Sequence, residues 1–173
     1  MTAFVTTPTL GINLAATTAG TTTAGEGAAF TLGTQVTGND GSVWMYVQAS
    51  GAISQYSYCC IDTGFQCAIG TKALVDQGME IAIAQVAFAD NDFGWVLIKG
   101  TGAQYKVNVL ISCTASVLLS TTATPGFLDD TAATATQTTI LGLQLQTSAT
   151  ASGGYSMIAN FPNRAQGGLA WTY

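Results

Sequence analysis

Short segments rich in Val, Ile, Tyr and Trp recur along this chain. Polar or Gly-containing turns separate them about every ten residues. Residues 79–100, MEIAIAQVAFADNDFGWVLIKG, carry the pattern most clearly. Ile81, Ile83 and Gln85 alternate along a first strand, and Asp90-Asn91-Asp92 supplies a turn. Gly94-Trp95-Val96-Leu97-Ile98 forms a second strand, closed by Gly100. Two strands joined by a polar turn predict a hairpin. The pattern returns near the end, where Thr139-Ile140-Leu141-Gly142-Leu143-Gln144-Leu145-Gln146 precedes the turn Ala151-Ser152-Gly153-Gly154 and the strand Tyr155-Ser156-Met157-Ile158-Ala159. No long stretch places apolar residues at helical spacing. The expected fold class is all-β: a compact antiparallel β-barrel or β-sandwich with an extended N-terminal arm.

Residues 1–28 form that arm. They are rich in Thr, Ala and Gly, and residues 1–25 carry no charged side chain. Such a stretch buries too little apolar area to fold alone. Laid across a neighbouring subunit, by strand addition or groove packing, it would become ordered. The alternative is that it folds back on its own domain. Residues 29–173 read as a single β-domain with a C-terminal aromatic tail. Gly38-Asn39-Asp40-Gly41 is a strong turn signal, followed by the strand Val43-Trp44-Met45-Tyr46-Val47. Residues 53–61 read as one uninterrupted strand, and Asp62-Thr63-Gly64 turns the chain into Phe65-Gln66-Cys67-Ala68-Ile69. Residues 71–78 fit one helical turn or a loop. Residues 103–111 form a further strand, and Phe161-Pro162-Asn163 stops the last one.

Only 8% of the 173 residues are charged, against 48% hydrophobic. Soluble domains usually carry about 25% charged residues. So few charges leave little repulsion between copies, which favours a surface covered by neighbours. The alternative is a compact monomer with a Thr/Ser/Gln surface. The net charge is −5, and the four cations Lys72, Lys99, Lys106 and Arg164 are scattered. They cannot form the clustered patch that direct nucleic-acid binding needs. No window approaches the roughly 18 apolar residues of a membrane span. The N-terminus lacks the basic region and continuous apolar core of a signal peptide.

The chemistry-bearing residue types are sparse. There is no histidine, which removes the usual general base and most hydrolase triads. Paired carboxylates in a cleft are not suggested, because most of the acids sit at turns. Asp90-Asn91-Asp92 with Gly94 matches the start of a calcium loop but lacks the downstream bidentate Glu. Asp129-Asp130 reads as an exposed acidic loop tip. No metal ligands, cofactor or catalytic residues are assigned, and the chain is not expected to be an enzyme. Cys59 and Cys60 would point to opposite faces of a strand. With Cys67 and Cys113 they read as buried free thiols. A disulfide within the Cys60–Cys67 hairpin, or to Cys113, is the alternative.

Trp44 and Trp95 lie inside strand patterns, where a core position is the default, and Trp95 can cap one end of a barrel. Trp171 and Tyr173 sit on a Gly-rich tail with no local core, so they read either as interface anchors or as side chains packed on their own domain. The candidate subunit or capsid contacts are Phe4, Val5, Leu10, Ile12 and Leu14 in the arm, with Trp171 and Tyr173 in the tail.

The segment Phe93-Gly94-Trp95-Val96-Leu97-Ile98-Lys99-Gly100 fits the pattern (Y/F)GWV-x-(I/V)-x-G. Together with Val43-Trp44-Met45-Tyr46-Val47 and the strand patterns that begin at Ile81 and Ile140, it resembles the capsid decoration, or cement, proteins of tailed bacteriophages. The resemblance covers roughly residues 33–162. It implies a non-enzymatic structural virion protein, made in the host bacterial cytoplasm and placed on the capsid exterior. Its implied partners are the major capsid protein and itself, as a homotrimer at three-fold positions. There it would clamp adjacent capsid subunits of the expanded shell, with an N-terminal arm reaching a neighbour. Similar small β proteins occur as head fibres and tail-tip modules that bind a host receptor or glycan, which is the alternative.

Overall fold

The computed structural model describes residues 11–20, 27–131 and 137–165. Among them are eleven strands and one short helix. β1 (Thr17–Thr18), β2 (Gln35–Thr37), β3 (Val43–Ala49), β4 (Tyr58–Ile61) and β5 (Gln66–Ile69) precede α1 (Lys72–Asp76). β6 (Glu80–Ile83), β7 (Phe93–Val109), β8 (Leu118–Thr121), β9 (Leu128–Asp129), β10 (Thr139–Leu145) and β11 (Gly153–Arg164) follow. The chain is all-β, with a closed five-stranded barrel and outer strands.

The strand pairings close on themselves. β3 pairs with β5, β5 with β4, β4 with β6 and β6 with β7, and β7 returns to β3. The interior of this ring is filled by Met45, Val47 and Ala49 from β3, Cys59 and Ile61 from β4, Cys67 from β5, Ala82 from β6, and Val96 and Ile98 from β7. Ile53 and Phe88 exchange backbone hydrogen bonds and complete the cluster. Five strands enclose a narrow space, and Ala49, Ala82, Ala84, Cys59 and Cys67 leave room in it for the larger Met45, Ile98 and Phe88.

The aromatic residues of these strands lie on their other face. Trp44, Tyr46, Tyr58, Phe93 and Trp95 belong to a second core, with Leu119, Leu128, Ile140, Leu143 and Met157 from the later strands. Period-2 alternation makes both cores at once, because successive side chains of β3 and β7 point to opposite faces. Phe30 packs edge-on against Tyr46 and tilted against Trp95, with centroids 5.2 and 5.3 Å apart. Trp95 lies beneath Phe30 in this outer core, so it does not fill the interior cluster.

β7 joins the two halves. Residues 93–99 pair with β3, and residues 99–109 pair with β11. β11 pairs with β10, β10 with β8 and β8 with β9, and Leu128 of β9 returns to Val109 of β7. The contacts β3–β5 and β7–β9 are parallel, and the remaining pairings of named strands are antiparallel.

Several strand limits differ from the sequence reading. β7 does not end at Gly100 but runs on through residues 103–109, so two expected strands are one. The strand expected over residues 53–61 is only β4. Ile53 makes an isolated bridge to Phe88, and Tyr56 has φ 65° in the turn between them. The turn at Asp90-Asn91-Asp92 forms, with Ala89 N donating to Asp92 Oδ2 at 2.9 Å. The strands beside it are not a ladder, however, because β6 meets β7 only at Ile83 opposite Leu97 and otherwise pairs with β4. Phe161-Pro162-Asn163 does not stop β11. A bulge there leaves Leu141 opposite Asn163 and Leu143 opposite Ala159, which carries the strand past Pro162. Over residues 71–78 the chain takes the helical alternative. Thr71 caps α1 by accepting from Leu74 N.

Candidate functional site

β8, β10, β11 and β7 lie side by side, and their register defines an outer face. Leu118, Gln144, Ile158 and Thr101 stand opposite one another in a row across the four strands. Opposed residues of antiparallel strands share a face. Next to this row lie Leu141, opposite Asn163, and Phe161 in the bulge. Leu118, Leu141, Ile158 and Phe161 are each 38–50% exposed, while their neighbours Leu119, Ile140, Met157 and Ala159 are buried beneath. Lys99 Nζ lies 5.8 Å from the Phe161 ring centroid, at the edge of the patch. Sequence reasoning missed this face. The signal available was that β10 and β11 carry apolar residues at both parities, as in Met157-Ile158-Ala159.

Six of the nine acids are engaged within the chain. Asp40 accepts from Ser42 N, Ser42 Oγ, Gln104 Nε2 and Tyr105 Oη. Ser42 Oγ accepts in turn from Trp44 Nε1 at 2.8 Å. Asp62 Oδ1 accepts from Gly64 N and Gln66 N, closing its turn. Asp76 pairs with Lys72 and accepts from Thr138 Oγ1. Asp129 and Asp130 are half-buried, not the exposed loop tip that the sequence suggested. Asp129 accepts from Cys113 Sγ and Thr131 Oγ1, and Asp130 from Thr114 N at 2.6 Å. Cys113, Asp129 and Asp130 bring their ligand atoms within 4.8 Å of one another, which would suit a cation. Their hydrogen bonds also account for the arrangement as a loop tie.

All four cysteines are free and buried. Cys59 and Cys67 lie inside the barrel, while Cys60 and Cys113 lie in the outer core. Burial pushes the Cys60 thiol up to about 12 and the Cys113 thiol up to about 11. A hydrogen bond to Cys67, then burial, raises that of Cys59. Such thiols are poor nucleophiles.

Ile12 and Leu14 are half-buried against the outer core of their own chain, and Thr17 and Thr18 pair with Gly94 and Phe93 as β1. Gly20 approaches so closely that a Cβ there would come within 2.0 Å of Asn91 O. Residues 11–20 thus lie on their own domain. Phe4, Val5, Leu10, Trp171 and Tyr173 are outside the described residues. Trp44 and Trp95 are buried, so neither offers a surface for stacking on a sugar. A groove of about 510 Å³ is lined by Ile61, Asp62, Phe65, Gln77, Met79 and Glu80, among others. No helix of the described residues is long and apolar enough to cross a membrane. No family model, curated protein or solved structure matches this chain.

Proposed function

We propose that this protein is a structural component of a tailed-phage virion. It binds the outer surface of the expanded capsid and clamps adjacent major capsid subunits, acting as a homotrimer. The observation that carries this reading is the electrically quiet surface. The chain has few charges, and Asp40, Asp62, Asp76, Asp92, Asp129 and Asp130 are all engaged with their own chain. The described surface left for a partner is mainly Thr, Ser, Gln and apolar area, with Asp62, Asp76, Glu80 and Asp90 among its exposed carboxylates. That composition suits permanent contacts, in which charge would have to be desolvated.

Two further features support the reading. The segment Phe93-Gly94-Trp95-Val96-Leu97-Ile98-Lys99-Gly100, which resembles the decoration proteins, lies in β7, the strand shared by both halves of the fold. Residues 11–20 lie on their own domain, and the uncharged residues 1–10, with Phe4, Val5 and Leu10, supply the candidate contacts to a capsid subunit or another copy. Several weak apolar contacts on one trimer add up to a firm clamp through multivalency.

Co-sedimentation of the purified protein with undecorated expanded phage shells, imaged by cryo-electron microscopy, tests the proposal. Regular density at symmetry-related positions on the shell exterior is the expected result. Absence of binding to expanded shells would reject it.

A further inference from the structure

We infer that the groove between the β4–β5 turn and the α1–β6 connection is a docking site for an arginine side chain presented by a partner protein. The inference stands apart from the virion reading. Where β4 pairs with β6, Ile61 stands opposite Glu80. Beyond this pair the two segments part. Residues 62–65 turn into β5, and residues 77–79 lead from α1 into β6. Ile61, Asp62 and Phe65 from the first segment, with Gln77, Met79 and Glu80 from the second, line a groove of about 510 Å³. Ligand sites usually measure about 300–1,000 Å³.

The groove is acidic, and the chain supplies nothing to balance it. Among the described residues, Glu80 accepts no hydrogen bond and pairs with no cation. Burial raises its carboxyl above the ordinary value, and no charged group offsets that effect. Asp62 uses Oδ1 to accept from Gly64 N and Gln66 N at 2.8 and 2.9 Å, which leaves Oδ2 for another donor. The sequence contains four Lys and Arg side chains, and each is placed elsewhere. Lys72 pairs with Asp76, and Arg164 Nη1 donates to Asp76 O at 2.6 Å. Lys99 and Lys106 lie 5.8 and 5.5 Å from the ring centroids of Phe161 and Tyr56. A side-chain cation to complement Glu80 and Asp62 therefore has to come from another molecule.

The apolar part of the groove decides which cation fits. Ile61, Phe65 and Met79 can hold an aliphatic stem while its charged head reaches a carboxylate. Phe65 is 37% exposed and has φ 60°, a conformation that is costly for a bulky side chain. Gly33 makes room for its ring, since a Cβ there would lie 2.5 Å from Phe65 Cζ. An aromatic ring is thus held at the groove wall beside two carboxylates. A guanidinium is planar, weakly hydrated and able to stack on such a ring while donating to carboxylates as a fork. An ammonium is a compact, strongly hydrated charge and uses the ring less well. Arginine is therefore the better occupant, with its plane on Phe65 and its N–H groups toward Glu80 and Asp62 Oδ2.

Titration of the isotope-labelled full chain with the peptide acetyl-Gly-Ala-Arg-Ala-Gly-amide, followed by amide NMR spectra, tests the inference. Saturable shifts centred on Phe65, Gln77 and Glu80 are expected. The same peptide with citrulline, the neutral isostere of arginine, is expected to bind about tenfold more weakly, because the charged hydrogen bonds are lost. Equal binding of the two peptides, or shifts centred elsewhere, would overturn the inference. Unshifted groove resonances at about 10 mM arginine peptide would do the same. Glu80→Gln changes an exposed side chain, and an unaltered dispersion of resonances reports that the variant is folded. Its affinity for the arginine peptide is expected to fall about tenfold, and an unchanged affinity would count against the site. Shifts of the same residues with protein concentration alone would assign the groove to a second copy and overturn the partner. Attachment to shells, measured separately, reports on the virion reading alone.

Discussion

Asp40 illustrates how single charges are used in this chain. Its carboxylate ties the β2–β3 turn to the β7 segment that carries Gln104 and Tyr105. Hydrogen bonds from Tyr105 first, and then from Ser42, hold its pKa well below the ordinary range. A carboxyl with a lowered folded pKa means that the unfolded chain takes up the proton first as pH falls. The stabilisation is complete above about pH 4 and fades as pH drops toward the lowered value. Tyr105→Phe removes one donor and is expected to cost about 1 kcal/mol near neutral pH. The deficit relative to the unmodified protein should shrink below about pH 4, as urea melts across pH 3–7 would reveal. The thiols make a second residue-scale prediction. Because all four are buried, with those of Cys59, Cys60 and Cys113 raised, a disulfide-exchange reagent at pH 8 should titrate almost none in the native protein and all four in denaturant. Rapid native reaction of any one would contradict the packing described.

At the scale of elements, the bulge between β10 and β11 shows why strand ends were hard to read. Gly142 has φ 76° and Phe161 has φ 48°, and a Cβ at Gly142 would lie 2.5 Å from Asn160 O. The backbone cannot yield there without breaking the pairing on either side. Gly142→Ala is therefore expected to cost about 2 kcal/mol, read from the denaturation midpoint. A loss below about 0.5 kcal/mol would mean that the bulge is absent in solution. The same bulge explains how Pro162 sits inside a strand. A proline read locally signals a stop, but an extra residue removes its missing donor from the ladder. Gly100 misleads in the same way. It reads as a terminator, yet β7 needs a small residue there because Tyr105 closes over it, 2.9 Å from where a Cβ would stand.

For the whole molecule, residues 11–20 are the part of the arm that packs on the domain. Residues 11–20 add Ile12, Leu14 and β1 to the outer core, so they contribute to folding. Deleting residues 1–10 is expected to weaken attachment to shells. Deleting residues 1–20 should cost about 2 kcal/mol or more, as two apolar side chains and a strand are lost from the outer core. An unchanged midpoint after deletion of residues 1–20 would contradict the anchoring role. Unchanged shell binding by the shorter truncation would remove residues 1–10 from the proposed clamp.

The strand-rich composition, the turn residues and the absence of helical spacing were enough to place this chain among all-β folds. Those signals are local, set by backbone preference and two-residue alternation. The burial of Trp44 and Trp95 was legible for the same reason, while residues 71–78 fitted a helical turn or a loop equally until the structure showed Thr71 capping a helix. Alternation could not say which face of a strand enters the barrel, since in β3 and β7 both faces are apolar. Long-range pairing made that choice, placing Met45, Val47, Val96 and Ile98 inside the ring and Trp44, Tyr46, Phe93 and Trp95 outside it. Pairing also fused two strand patterns into β7, carried β11 past Pro162, and set Leu118, Leu141, Ile158 and Phe161 on one surface. Residues that far apart in sequence become neighbours only when the register of four strands is fixed, and register is a property of the folded sheet.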